Sequence, residues 1–310
     1  MLLRRLPSPL FALNLLVLAA PNVEGAAQRT FVASNGTDAN SCSITAPCRS
    51  FAAAVAQTLA GGEVIVQDSA GYGPVTVAQS VSITAPPGVY AGISVPATGN
   101  ETGVLIATAG ISVVLRGLSI NSTGGTYGVR MTNGTELVIE NSVISNFGIG
   151  VSIEAPARVA ITDSTVRDCS KGIVVGFGAN ANLANSQVLG NLLEGIQIIG
   201  GAGGVTTHVH VSDTLVTGRG PGGSAYCIDN FASPGTTGHM SAIRVTVSGC
   251  SFAISNEPSG SGTLTIGSSM VSGNGTAFDS LGANFFSLGN NQLSDNMFEM
   301  SGTITPVGGK

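Results

Sequence analysis

The apolar positions of this 310-residue chain repeat with a period much longer than one secondary-structure element. One series is Ile120, Ile144, Val166, Val188, Val216, Val247, Val271 and Leu293. A second keeps step with it: Val129, Val151, Ile173, Ile196, Ile228, Ile254 and Phe278. Most steps are 22–24 residues, and the longer ones fall between Val188 and Ile254. Two series locked to one period predict a solenoid, in which each repeat packs only on its neighbours.

The repeat from Arg158 to Gly176 shows what one unit contains. Val159 and Ile161 alternate and so share one face of a strand. Asp163 and Ser164 turn the chain, and Val166 points inward from a second short strand. Residues Asp168 to Lys171 turn it again, before Ile173 and Val175 in a third strand. Three strands and three bends make one coil of a parallel β-helix, and about ten coils are expected. A helical solenoid does not fit, because glycine, asparagine and β-branched residues interrupt every few positions. A β-sandwich would need longer strands and hairpins, and the leucine ladder of leucine-rich repeats is absent. Asn191, Asn274 and Asn296 each fall three residues after an anchor, in the phase of Cys169 and Cys250, with Asn146 one position earlier. They read as turn residues stacked coil on coil rather than as ligands.

Ahead of the repeats, residues 31–36 read as a strand and turn, followed by a polar loop up to Cys48. Arg49 to Ala60 is the one good helix candidate, with Ser50 as its cap and Phe51, Val55 and Leu59 as its stripe. Gly61 and Gly62 are expected to stop it. Its apolar stripe suits the open first coil, whose bare edges would otherwise invite aggregation. The expected organisation is therefore a leader over 1–25, a loop and capping helix over 26–62, and the β-helix over 63–310.

The leader follows from Arg4 and Arg5 ahead of the apolar stretch Leu10 to Ala20, with small residues near Gly25. That is a secretory signal rather than a membrane span. The mature chain is expected to be secreted or periplasmic, without membrane insertion. Charged residues are only 9% of the chain and the formal net charge is -5. With no basic patch, nucleic acid and anionic lipid are poor partners. Of the five cysteines, Cys42 and Cys48 are expected to pair, as are Cys227 and Cys250 across adjacent coils. Cys169 is left over as a small buried side chain, because no nearby histidine pattern would activate it.

The opening FVASNGTDANSCSITAPCRSFAAAVAQTLAGGEVIV, together with the repeats, resembles the secreted right-handed parallel β-helix proteins of the pectate-lyase-like superfamily, in particular its secreted bacterial members. The likeness spans roughly residues 31 to 300. It implies an all-β, single-stranded right-handed parallel β-helix with an N-terminal capping helix. The superfamily includes polysaccharide lyases, glycoside hydrolases, epimerases, adhesins and phage tailspikes. The Asn-Thr-Asp, Asp-Asp, Gly-His-Gly and Arg-Ile-Lys elements of polygalacturonases do not occur in the chain.

Candidate chemistry is sparse. Asp163 and Asp213 share one turn phase, with Asn185 between them, and read as turn residues. Arg167, Asp168 and Lys171 form the densest charged cluster, which would suit a uronate or simply a solvated turn. Arg130 and Asp229 share an outward column but are separated by Ser152, Val174 and Gln197, too far for an acid–base pair. His208 and His210 alternate on one strand, and no third ligand has a clear position, so no metal is expected. Longer loops near 200–207, 219–225, 231–241 and 256–262 should gather along one edge and bind a ligand. Tyr226, Asp229, Phe231, His239 and Glu257 are the candidates beside them.

The leading expectation is a secreted, non-catalytic binder of polysaccharide or a surface scaffold. The alternatives are a lyase, glycoside hydrolase or epimerase acting on an acidic polysaccharide, or an adhesin or tailspike-like protein. No cofactor is expected, and calcium enters only with a lyase. A monomer is expected, with a trimer as the adhesin or tailspike alternative. Asn-x-Ser/Thr sequons stand at Asn35, Asn100, Asn121, Asn133 and Asn274.

Overall fold

The computed structural model describes residues 26–97, 101–201, 203–221, 225–257 and 259–308. The expected leader, the sequon at Asn100 and residues 222–224 of the loop 219–225 lie outside the described residues.

Short strands stack in three columns, here called the first, second and third faces. In one turn, Thr165–Arg167 belongs to the first face, Lys171–Val175 to the second and Asn180–Ala184 to the third. The pairing between turns is parallel throughout. The first face is a separate 10-stranded sheet. The strand Thr276–Ser287 crosses a corner unbroken and joins the other two faces into one 20-stranded sheet. The result is a parallel β-helix of about nine turns, close to the ten coils expected from the repeat.

Both apolar series are backbone registers. On the first face the partners run Ile120, Ile144, Val166, Val188, Val216, Val247, Val271 and Leu293. On the second face they run Val129, Val151, Ile173, Ile196, Ile228, Ile254 and Phe278. Burying these columns against one another forms the core between the three faces. Burial removes apolar surface from water at roughly 25 cal/mol per Å². Each turn therefore has an inward column that cannot slip by one residue without exposing itself.

The corners account for most of the conspicuous polar residues. Asn141, Asp163, Asn185, Asp213, Arg244 and Ser268 all have φ between 49° and 53°, at the corner from the third face to the first. Left-handed backbone favours Asn and Asp, whose short side chains bond locally. A hydroxyl ladder follows each of these corners. Ser164 Oγ accepts from Ser142 N at 3.2 Å, and Ser186 Oγ accepts from Ser164 N at 3.3 Å. The asparagine ladder is present too. Asn274 Oδ1 accepts from Cys250 N at 3.0 Å, and Asn274 Nδ2 donates to Asn296 Oδ1 at 2.9 Å. Cys169 lies in the same column and donates its N–H to Asn191 Oδ1 at 3.0 Å. Its thiol is free and buried, and that burial raises its pKa.

At the front, the helix runs Phe51–Gln57 and Ser50 Oγ accepts from Ala53 N. Phe51, Ala54 and Val55 are buried on the first turns, and the Phe51 ring lies 5.2 Å from that of Tyr72. The helix is shorter than the expected Arg49–Ala60. Thr58 turns extended, donating its N–H to Val55 O and its hydroxyl to Ala54 O. Those bonds satisfy the last helical carbonyls, and the chain continues as the strand Thr58–Val66. Leu59 thus leaves the apolar stripe and is exposed. Disulfides join Cys42 to Cys48 and Cys227 to Cys250. No described helix is long and apolar enough to cross a membrane.

Candidate functional site

The long loops stack on one another, as their position in the repeat implies. Gly204 N donates to Gly235 O, and Gly260 N donates to Ala232 O. They border the edge between the second and third faces. Residues 218–221 lie ahead of Tyr226 at the opposite edge of the second face, and the strands between the two edges form a trough.

Which side chains line that trough is set by register. The residue after each second-face anchor points outward, giving the column Arg130, Ser152, Val174, Gln197, Asp229, Ser255 and Asp279. Lys171, Glu194, Tyr226 and Phe252 pair along the start of the same strands. Ile199 and Phe231 pair along their ends. Together Lys171, Glu194, Gln197, Tyr226, Asp229 and Phe231, with Glu257 and Ser233, enclose a groove of about 330 Å³.

Polar contacts in the groove form a chain. Lys171 Nζ lies 3.3 Å from Glu194 Oε2 and donates to Gln197 Oε1 at 3.1 Å. Gln197 Nε2 donates to Asp229 Oδ2 at 2.9 Å. Asp229 is only 2% exposed, and its Oδ1 is buried with no hydrogen-bond partner. Burial pushes its carboxyl pKa up to about 7, and the charges of Glu257 and Glu194 add to the rise. The Gln197 bond and the Lys171 charge oppose it but do not cancel it. Glu257 Oε1 accepts from Ser255 Oγ at 2.9 Å, and Asp279 Oδ2 lies 3.5 Å from the same hydroxyl. The Tyr226 hydroxyl bonds Glu257, and burial followed by that carboxylate raises its pKa to about 12. Its ring stacks on Phe252 at 4.9 Å, while Phe231 stands 42% exposed across the groove.

Such a site offers Asp229, a carboxyl that still holds its proton near neutrality, beside a second carboxyl group, Glu257. That pairing is what glycosidic bond cleavage requires of two carboxyl groups. Aromatic faces at the edge of a cleft suit the apolar side of a sugar ring.

Five of the eight candidate residues from the sequence meet here: Lys171, Tyr226, Asp229, Phe231 and Glu257. The other three lie elsewhere. Arg167 and Asp168 occupy an exposed corner, where Asp168 has φ 56° and pairs with Arg167 at 2.6 Å and Arg219 at 3.7 Å. His239 is not in a loop. It belongs to the strand Thr237–Ile243 of the third face, because the preceding loop closes in five residues, 232–236. Its ring stacks on His208 at 5.1 Å, and its Nδ1 lies 2.5 Å from Thr263 Oγ1. Arg130 and Asp229 are four turns apart, as expected, and Arg130 forms a two-pronged pair with Glu154 at 2.9 and 2.8 Å.

Gln197, Glu194 and Asp279 were missed as candidates. The signal for Gln197 and Asp279 was their position one residue after an anchor of the second series. Calcium takes six to eight oxygens. Among the described residues no three His, Cys, Asp or Glu side chains converge as a metal-ligand group, so the groove does not fit such an ion on its own donors.

Comparison with known proteins agrees with this architecture. The structure is similar to that of the pectate lyase Pel9A, with 13% identity, a TM-score of 0.66, and coverage of 90% of this chain and 80% of that one. It is also similar to the alginate lyase from Paenibacillus sp. str. FPU-7, with 15% identity, a TM-score of 0.61, and coverage of 90% and 100%. At these identities the likeness concerns the fold. No curated protein matches the chain. The family model described as right handed beta helix region matches residues 102–293, which is more than half of the sequence. The chain therefore belongs to the right-handed β-helix family, with a fold related to that of the pectate and alginate lyases.

Proposed function

We propose that this chain is an extracellular enzyme that cleaves a polysaccharide lying along the groove of the second face. Asp229 is the proton donor to the departing glycosidic oxygen, and Glu257 is the second carboxyl group, which supports attack by water. The observation that carries this reading is Asp229 itself: a buried carboxyl, short of one partner, with its pKa raised to about 7. A group of that pKa donates a proton near neutral pH, and general acid catalysis contributes about 10²–10⁴-fold to rate. Lys171 and Gln197 act as positioning residues, because Gln197 holds the Asp229 carboxyl from the side away from Glu257 and Lys171 holds Gln197.

A purely binding role, the leading expectation from sequence, explains the aromatic edge but not a buried carboxyl held against its ordinary ionisation. Two disulfides support an oxidising, extracellular or periplasmic location. Register supports hydrolysis over elimination. Glu257 lies one turn and two residues from Asp229, about 8 Å between backbones from strand geometry. Tyr226, with its pKa raised, is a poor base for removing a sugar C–H proton.

The test is incubation with a panel of neutral, amino-sugar and uronate polysaccharides, reading new reducing ends and absorbance near 235 nm side by side. Hydrolysis gives reducing ends without absorbance. New absorbance would move the reaction to elimination, and no cleavage across the panel would return the chain to a binding role.

A further inference from the structure

The groove holds more carboxyl groups than a single proton donor needs. Its lining contains one cation, Lys171, already matched by Glu194 at 3.3 Å. The other described arginines near this side are committed elsewhere, Arg130 to Glu154 and both Arg167 and Arg219 to Asp168. What remains without an ion pair is Asp229 and Glu257 in the lining, with Asp279 on the next turn.

Two of these compete for one proton. Glu257 Oε1 and Asp279 Oδ2 lie 2.9 and 3.5 Å from Ser255 Oγ, and that hydroxyl has a single hydrogen to give. Ser255 is fully buried and Asp279 is 3% exposed. One turn away, Asp229 Oδ1 is buried with no donor at all. The lining therefore presents acceptors in excess, from Asp229 and Glu257 on consecutive turns about 4.8 Å apart.

A uronate polymer would set its carboxylates against these, and like charges brought together out of water are strongly unfavourable. A neutral glycan offers hydroxyl donors but no compensating charge. An ammonium group supplies both, with three N–H donors and a compact positive charge. Beside the acidic column, the exposed face of Phe231 and the ring of Tyr226 provide the apolar surface against which a pyranose ring packs.

We propose that the groove selects a polysaccharide bearing free amino groups, a polymer of 2-amino-2-deoxyhexose, whose ammonium is held by Glu257 beside the buried carboxyl of Asp229. This inference rests on the groove being a glycan site but not on cleavage occurring there. It separates this chain from the two solved structures it is similar to, a pectate lyase and an alginate lyase.

Titration calorimetry of the wild-type protein tests it, with tetramers of glucosamine, N-acetylglucosamine and galacturonic acid, the last with and without calcium. The glucosamine tetramer should bind at least about tenfold more tightly than the acetylated one, as expected for a charge-assisted contact. Raising the salt concentration should weaken it. Glu257→Gln should cost glucosamine binding about tenfold and leave the acetylated tetramer unaffected. Asp279→Asn should act in the same direction, so that the conclusion does not depend on one variant folding. Equal affinity for the two hexosamine tetramers, or tighter binding of the uronate in either condition, would overturn the proposal. Glucosamine binding without cleavage would overturn the hydrolytic reading alone. Cleavage of a uronate or neutral polymer in preference would overturn this inference alone.

Discussion

Gln197 Nε2 donates to Asp229 Oδ2 at 2.9 Å from the neighbouring turn and leaves the second oxygen of that carboxyl buried without a partner. One oxygen of the group is held and the other has no partner. The pairing is a consequence of the repeat, since Gln197 and Asp229 are register partners on the second face.

The raised pKa of Asp229 makes stability depend on pH. Its carboxyl titrates near 3.8 in the unfolded chain and about 7 in the folded one. Between those values the folded state binds the extra proton, so stability falls as pH rises from about 4 to about 7 and is flat above. Asp229→Asn removes this dependence. At pH 8 it should stabilise the fold by a few kcal/mol, at most about 4. Thermal melting of both proteins across that range checks the sign: the two curves should separate as pH rises and converge near pH 4.

Gln197→Leu removes a bond that favours the ionised form of Asp229. The pKa should then rise further, and the alkaline limb of the pH–rate profile should move up by about 0.5–1 unit. A merely structural role for Gln197 would lower activity at every pH and leave the limb where it was.

Asn274 tests the ladder independently of the groove. It is 2% exposed, accepts from Cys250 N and donates to Asn296 Oδ1 and Ser272 O. Asn274→Ala strands those buried partners and should cost about 2–3 kcal/mol in chemical denaturation. Glycan binding by the folded fraction should be unchanged.

The Cys227–Cys250 bridge links consecutive turns beside Tyr226, with Cα atoms 5.9 Å apart. Replacing both cysteines with alanine should lower stability by about 3 kcal/mol for a loop of this length. It should also weaken glycan binding, because Cys227 anchors the strand that begins with Tyr226.

Much of this was legible in the sequence, and the reason is the register. Ile120 to Leu293 and Val129 to Phe278 mark inward columns because each must be buried in every turn. The serine ladder at Ser142, Ser164 and Ser186 was less visible, since a serine near a turn has many other uses. Helix length depended on Thr58, whose hydroxyl takes a helical carbonyl, a contact that spacing alone does not reveal. Lys171, Tyr226, Asp229, Phe231 and Glu257 were found through loops and charge. Gln197 and Asp279 were overlooked although they occupy the column of Asp229. The burial of Asp229 was not legible at all, because it arises from side chains of neighbouring turns far away in sequence.

The central claim is that Asp229 donates the proton in glycosidic cleavage, and the rate of reducing-end release by Asp229→Asn tests it most directly. The variant keeps the size of the side chain and a partner for Gln197 but has no titratable proton. The account predicts a fall in kcat of about 10²-fold or more, with the glycan still bound. A variant that cleaves at the wild-type rate, with the same dependence on pH, would contradict it.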